Sequence, residues 1–145
     1  SPLMTSKDGL IKQTIWWPLL LFCKYMRGTT VATHVSSAAY EGETEPKWLA
    51  AAKDTPLLDV SAAVADDGVV SMVVVNVHQT ESQKVEVTGT KPSSGNVQVY
   101  SIAGDSWDVT NMAGTENVGI KESEWNGDGV FEFPSFSVTM LRWKP

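Results

Sequence analysis

Beyond Gly28 the chain is a succession of short runs rich in Val, Thr and aromatic residues, separated by clusters of Gly, Pro, Asp, Asn and Ser. That punctuation marks strands and turns: β-branched and aromatic side chains fit a pleated sheet, and Gly, Asp and Asn take the dihedral angles of tight turns. The runs predict strands at 30–35, 57–65, 69–77, 83–88 and 97–102, a short one near Trp107, and two more at 130–133 and 137–143. Asp66-Asp67-Gly68 predicts a hairpin between the second and third of these, since Gly supplies a positive φ and Asp tolerates one. Lys84, Val85, Glu86 and Val87 alternate polar with apolar, and Val97, Val99 and Ser101 alternate with Gln98, Tyr100 and Ile102. Such alternation predicts sheets with one wet face. Strands of this kind with no helix between them bury their apolar faces by stacking sheets. The expected fold class is mostly β: an antiparallel β-sandwich, jelly-roll-like in order.

The first 28 residues break this pattern. Lys7-Asp8-Gly9 is turn-like, and from 10 to 27 apolar residues are dense on most faces, which predicts a helix. Ile15, Leu19, Phe22 and Met26 form one stripe and Trp16, Leu20 and Cys23 another, so the helix needs neighbours on several sides. Gly28 after Lys24 and Arg27 is the expected C-terminal signature, with basic side chains facing the negative end of the helix dipole. Cys23, the single cysteine, is expected to be a buried inert thiol. No other helix follows to cover this one. The expectation is therefore that it belongs to a preceding domain, and that a chain opening on Ser1-Pro2-Leu3-Met4 is a fragment of something longer. A membrane reading fails, because the apolar run at 15–23 is interrupted by Pro18 and falls short of the roughly 20 residues a bilayer requires. A signal peptide would place small residues where Cys23, Lys24, Tyr25 and Met26 stand.

Composition excludes further classes. At 145 residues with 42% hydrophobic and 19% charged positions, the chain can bury a core. Its formal charge is −6 and its eleven Lys and Arg are scattered, so no basic stripe answers nucleic acid. His34 and His78 lie far apart, in predicted strands, without metal-ligand spacing, and neither a metal nor a cofactor is expected. Glu41, Glu43 and Glu45 beside Gly42 and Pro46 read as a solvated loop rather than a rigid acid/base pair. The surrounding excursion, 41–54, is expected to be pinned by Trp48. There is no Asn-X-Ser/Thr acceptor.

One resemblance goes further. Asp8-Gly9-Leu10-Ile11-Lys12-Gln13-Thr14-Ile15-Trp16-Trp17-Pro18, continuing to Lys24-Tyr25-Met26-Arg27-Gly28-Thr29, resembles the end of the catalytic barrel in family 51 α-L-arabinofuranosidases. Leu58-Asp59-Val60-Ser61-Ala62-Ala63, Val73-Val74-Val75-Asn76 and Ser137-Val138-Thr139-Met140-Leu141 resemble successive strands of that family's C-terminal sandwich. Thr110-Asn111 and Glu116-Asn117 echo its Asn-rich loop, with Val118 where the family often has proline. The resemblance implies that residues 1–28 end a (β/α)8 barrel and residues 29–145 form the sandwich. It also implies a retaining glycosidase, with both catalytic Glu upstream, acting on arabinoxylan, arabinan or related oligosaccharides. It makes Gln13 a sugar contact, with Trp16 and Trp17 as possible pocket walls, although at least one of these is expected in the core. The partner implied is the upstream catalytic portion, on the same chain or, after cleavage, on a separate one, and the location implied is extracellular. The alternatives are a carbohydrate-binding module using Trp48, Trp107 and Trp125, or a purely structural sandwich.

Overall fold

The computed structural model describes residues 1–43, 48, 50–93 and 95–145. Its centre is built from the most apolar runs: β6 (Leu58–Val64), β7 (Val70–Asn76), β9 (Val97–Ala103) and β12 (Ser137–Trp143). With β3 (Thr29–Val31) and β10 (Lys121–Trp125) at the edges, they form a six-stranded antiparallel sheet in the order β10-β9-β12-β7-β6-β3. The predicted hairpin joins β6 to β7: Gly68 takes φ 83° and donates to Ala65 O at 2.9 Å, while Asp67 Oδ1 accepts from Val69 N at 3.1 Å.

Both faces of this sheet are covered, which corrects the one-wet-face expectation for β9. On one face Val74, Val97, Val99, Leu141 and Trp143 pack with Phe133, joined by Val85 and Phe131. These last come from a second, two-stranded layer of β8 (Gln83–Glu86) and β11 (Val130–Phe133), which pair antiparallel. On the other face Val73, Tyr100, Ile102 and Met140 meet Trp17 and Leu21 of the helix and Val118 of a loop. Alternate residues of β7, β9 and β12 thus enter different cores. Leu21 and Met140 are fully buried, each contributing roughly 1.5–3 kcal/mol relative to exposure. The architecture is a mostly β, antiparallel sandwich with one helix, as expected.

The helix α1 (Trp16–Tyr25) is shorter than predicted. Residues 3–12 instead form a hairpin of β1 (Leu3–Ser6) and β2 (Gly9–Lys12). The helix closes with Met26 N donating to Phe22 O at 3.1 Å, ahead of Gly28. Gly28 serves a different need from the predicted cap: it takes φ 131°, and a Cβ there would stand 2.2 Å from Val64 O. Only a residue without a side chain lets the chain pass so close to β6. Cys23 is exposed rather than buried, as are Ile15, Leu19 and Phe22, because the helix lays only one side on the sheet. At its C-terminal end Tyr25 stacks on Tyr100 at 5.1 Å, with the Arg142 guanidinium 4.0 Å from the Tyr25 ring centre. The Lys24 ammonium lowers the Tyr25 pKa, whereas burial raises that of Tyr100.

Two further expectations are corrected at the surface. The 41–54 excursion begins and ends within two paired strands, β4 (Ala39–Gly42) and β5 (Ala52–Pro56), and Trp48 is 81% exposed rather than pinning it. Glu41 and Glu43 are exposed, and Glu45 lies outside the described residues. No strand forms near Trp107, which sits 77% exposed in a turn. His34 and His78 both lie beyond strand ends, with His34 exposed. His78 organises its turn, its Nδ1 accepting from Glu81 N at 2.9 Å.

Candidate functional site

Gln13 stands where the β1–β2 hairpin passes into the helix. Its N–H donates to Pro2 O at 2.9 Å, extending the hairpin ladder, and its carbonyl accepts from Trp16 N at 2.9 Å, opening the first helical turn. The half-buried side chain is held away from its own backbone: Nε2 lies 3.3 Å from Met4 Sδ. Among the described residues Oε1 accepts no hydrogen bond, leaving a carbonyl acceptor for a hydroxyl. Trp16 is half-buried and packs against the helix-side core. Trp17 lies within that core, with the Lys12 ammonium 4.9 Å from its ring centre.

A buried asparagine fixes this segment from across the fold. Asn111 is 4% exposed, and its Nδ2 donates to Lys12 O and to Val118 O, both at 2.8 Å. Its Oδ1 accepts from Val118 N at 2.8 Å. The last bond explains Val118: a proline there would have no N–H to give. Asn117 Nδ2 donates to Thr110 O at 2.7 Å, closing the same loop from outside. Asn76 does a similar service at the end of β7, donating to Phe133 O at 3.1 Å and Pro134 O at 2.9 Å, with Oδ1 accepting from His78 N at 3.0 Å. Neither asparagine's role was visible in its sequence context, because each bonds residues distant along the chain.

Beside the helix start a cavity of about 420 Å³ opens between Thr14, Pro18, Asn76, Ser137 and the exposed Trp107. Among the described residues no titratable side chain lines it. None of the described buried residues is an Asp or Glu, and no group of three or more described His, Cys, Asp or Glu could hold a metal. No described helix is long and apolar enough to cross a membrane. What the described residues offer at this cavity is hydrogen bonding and apolar contact.

The alpha-L-arabinofuranosidase C-terminal domain family matches residues 1–137. The chain belongs to that family. It is 54% identical over 144 residues to a probable alpha-L-arabinofuranosidase C of Aspergillus fumigatus, covering 99% of this chain and 28% of the relative. Against alpha-L-arabinofuranosidase C of Emericella nidulans the identity is 52%, with the same coverage of 99% and 28%. Among solved structures, the thermostable GH51 alpha-L-arabinofuranosidase of Thermotoga petrophila superposes with a TM-score of 0.82 at 26% identity, over 99% of this chain and 31% of that one. The arabinose complex of the Thermotoga maritima enzyme gives 0.82 at 24% identity over the whole of this chain and 32% of that one, a likeness of fold. The chain therefore spans under a third of the proteins it matches.

Proposed function

We propose that this chain is the C-terminal portion of a retaining α-L-arabinofuranosidase that removes terminal L-arabinofuranose from arabinoxylan, arabinan or their oligosaccharides. The observation that carries the reading is the family match over residues 1–137, joined to 54% identity across nearly the whole chain. In this reading residues 1–28 close a catalytic (β/α)8 barrel and residues 29–145 buttress it. Both carboxylates belong to the upstream portion, where a retaining pair about 5 Å apart would form and then hydrolyse a glycosyl-enzyme intermediate. The absence of any Asp or Glu among the described buried residues is consistent with that division.

Gln13 is this chain's contribution to the sugar site. Its amide oxygen accepts no hydrogen bond among the described residues, and the segment carrying it is tied down by Asn111. Sites are built in this way, with a polar group held by packing and hydrogen bonds. Trp16 is the better placed of the two tryptophans to flank a sugar, since Trp17 is committed to the core. The exposed Ile15, Leu19 and Phe22 form the face that the barrel covers. The enzyme acts outside the cell, on a polymer that cannot enter it. The test is hydrolysis of a small aryl α-L-arabinofuranoside. The full-length protein should cleave it with retention of configuration, the chain alone should not, and a full-length protein without activity would overturn the reading.

A further inference from the structure

A second cavity, of about 410 Å³, opens at the other end of the central sheet. Gln13 lies near the end marked by Asn76 and Ser137, whereas this cavity lies by Val97 and Trp143, which begin β9 and end β12. Seven-residue strands separate the two ends by roughly 20 Å. The walls are two segments, one from Glu86 at the end of β8 to Pro92 and one from Trp125 at the end of β10 to Gly129, and the volume is within the range of small-ligand sites.

The chemistry of the walls is specific. Trp125 is half-buried and held in place: its Nε1 donates to Asp128 Oδ1 at 2.9 Å, and Phe131 meets its ring edge-on at 5.3 Å. Trp143, which also lines the cavity, is 8% exposed, and its indole N–H finds no acceptor among the described residues. Thr88 and Thr90 bring hydroxyls, while Lys91, Asp128 and Glu86 bring both signs of charge. Gly89 and Gly129 present bare backbone, since a Cβ on either would meet nothing within 4 Å. An indole fixed by its own hydrogen bond, ringed by hydroxyls and mixed charges, suits a neutral ring with apolar C–H faces and many hydroxyls. A strongly charged or wholly apolar ligand would leave one part of that wall unanswered.

We propose that this cavity binds a sugar unit of the polysaccharide, with Trp125 as its stacking platform. That a sugar fits follows from the cavity; that the glycan contains arabinose rests on the function proposed above. The test uses the full-length protein, retarded in native gels containing soluble arabinoxylan. Trp125→Ala should raise the apparent Kd for arabinoxylan about tenfold or more, with hydrolysis of a small aryl arabinofuranoside unchanged. Thr88→Trp, which fills the mouth from an exposed position, should do the same while preserving the melting temperature. Retardation that persists in both variants overturns the proposal, as does a parent protein that arabinoxylan does not retard. Loss of binding in a protein without hydrolytic activity would support the cavity while overturning the arabinofuranosidase reading.

Discussion

Replacing Asn111 with alanine removes the side chain that joins the Asn-rich loop to the segment bearing Gln13. Three hydrogen bonds of 2.8 Å are lost, two donated to carbonyls of Lys12 and Val118 and one accepted from Val118 N. Each is worth about 0.5–1.5 kcal/mol net, so the bonds alone sum to roughly 1.5–4.5 kcal/mol. The site is 4% exposed and the Val118 N–H is left buried without a partner, which keeps the expected loss in the upper part of that range, about 3–4 kcal/mol. Urea unfolding of the variant reads this directly. Asn111→Asp gives an internal control: it retains the acceptor but places an anion before two carbonyl oxygens, and should destabilise at least as much. In the full-length enzyme both changes should also lower kcat/KM on a small arabinofuranoside severalfold, because the Lys12 carbonyl is the anchor next to Gln13. A loss of less than about 1 kcal/mol for Asn111→Ala would refute the reasoning, since it would mean that water replaces all three bonds at no cost.

Gly28→Ala should destabilise by about 2–5 kcal/mol, combining a disfavoured φ of 131° with a Cβ 2.2 Å from Val64 O; unchanged thermal unfolding would show that the helix-to-β3 passage relaxes freely. Leu19→Ser should change stability by less than about 0.5 kcal/mol in the isolated chain but by about 2 kcal/mol or more in the full-length enzyme, where the exposed face is proposed to be covered. Equal effects in the two contexts would contradict that docking. In an ultraviolet titration Tyr25 should ionise before Tyr100, because the neighbouring Lys24 favours its phenolate while burial disfavours that of Tyr100. Lys24→Met should move the Tyr25 step to higher pH, and an unmoved step would remove Lys24 as the cause.

The strands legible in the sequence are those with an apolar face to bury, β8 and β11 of the second layer among them. β6, β7, β9 and β12 were readable within a residue or so at each end because their apolar runs stand out between turn residues. The missed elements carry little hydrophobic signal: β10 is Lys-Glu-Ser-Glu-Trp, exposed along most of an edge, and β4 and β5 form a polar surface hairpin. The β1–β2 hairpin failed for the opposite reason, since Leu10 and Ile11 merged with the apolar density of the helix that follows. The same density suggested burial of Cys23, whereas the helix turns that side outward. At the candidate site the proposal for Gln13 rests on motif resemblance. The Asn111 tether was not legible, because its meaning lies in a bond to Lys12 made across the fold. The one available hint was Val118 in place of proline, whose N–H turns out to complete that tether.

The central claim is that this chain gives a larger arabinofuranosidase its scaffold and one substrate contact. Steady-state kinetics of the full-length Gln13→Ala variant on a small aryl α-L-arabinofuranoside tests it most directly. Loss of a hydrogen bond to the sugar should lower kcat/KM about tenfold, with an unchanged melting temperature. Kinetics indistinguishable from the parent enzyme would contradict the claim.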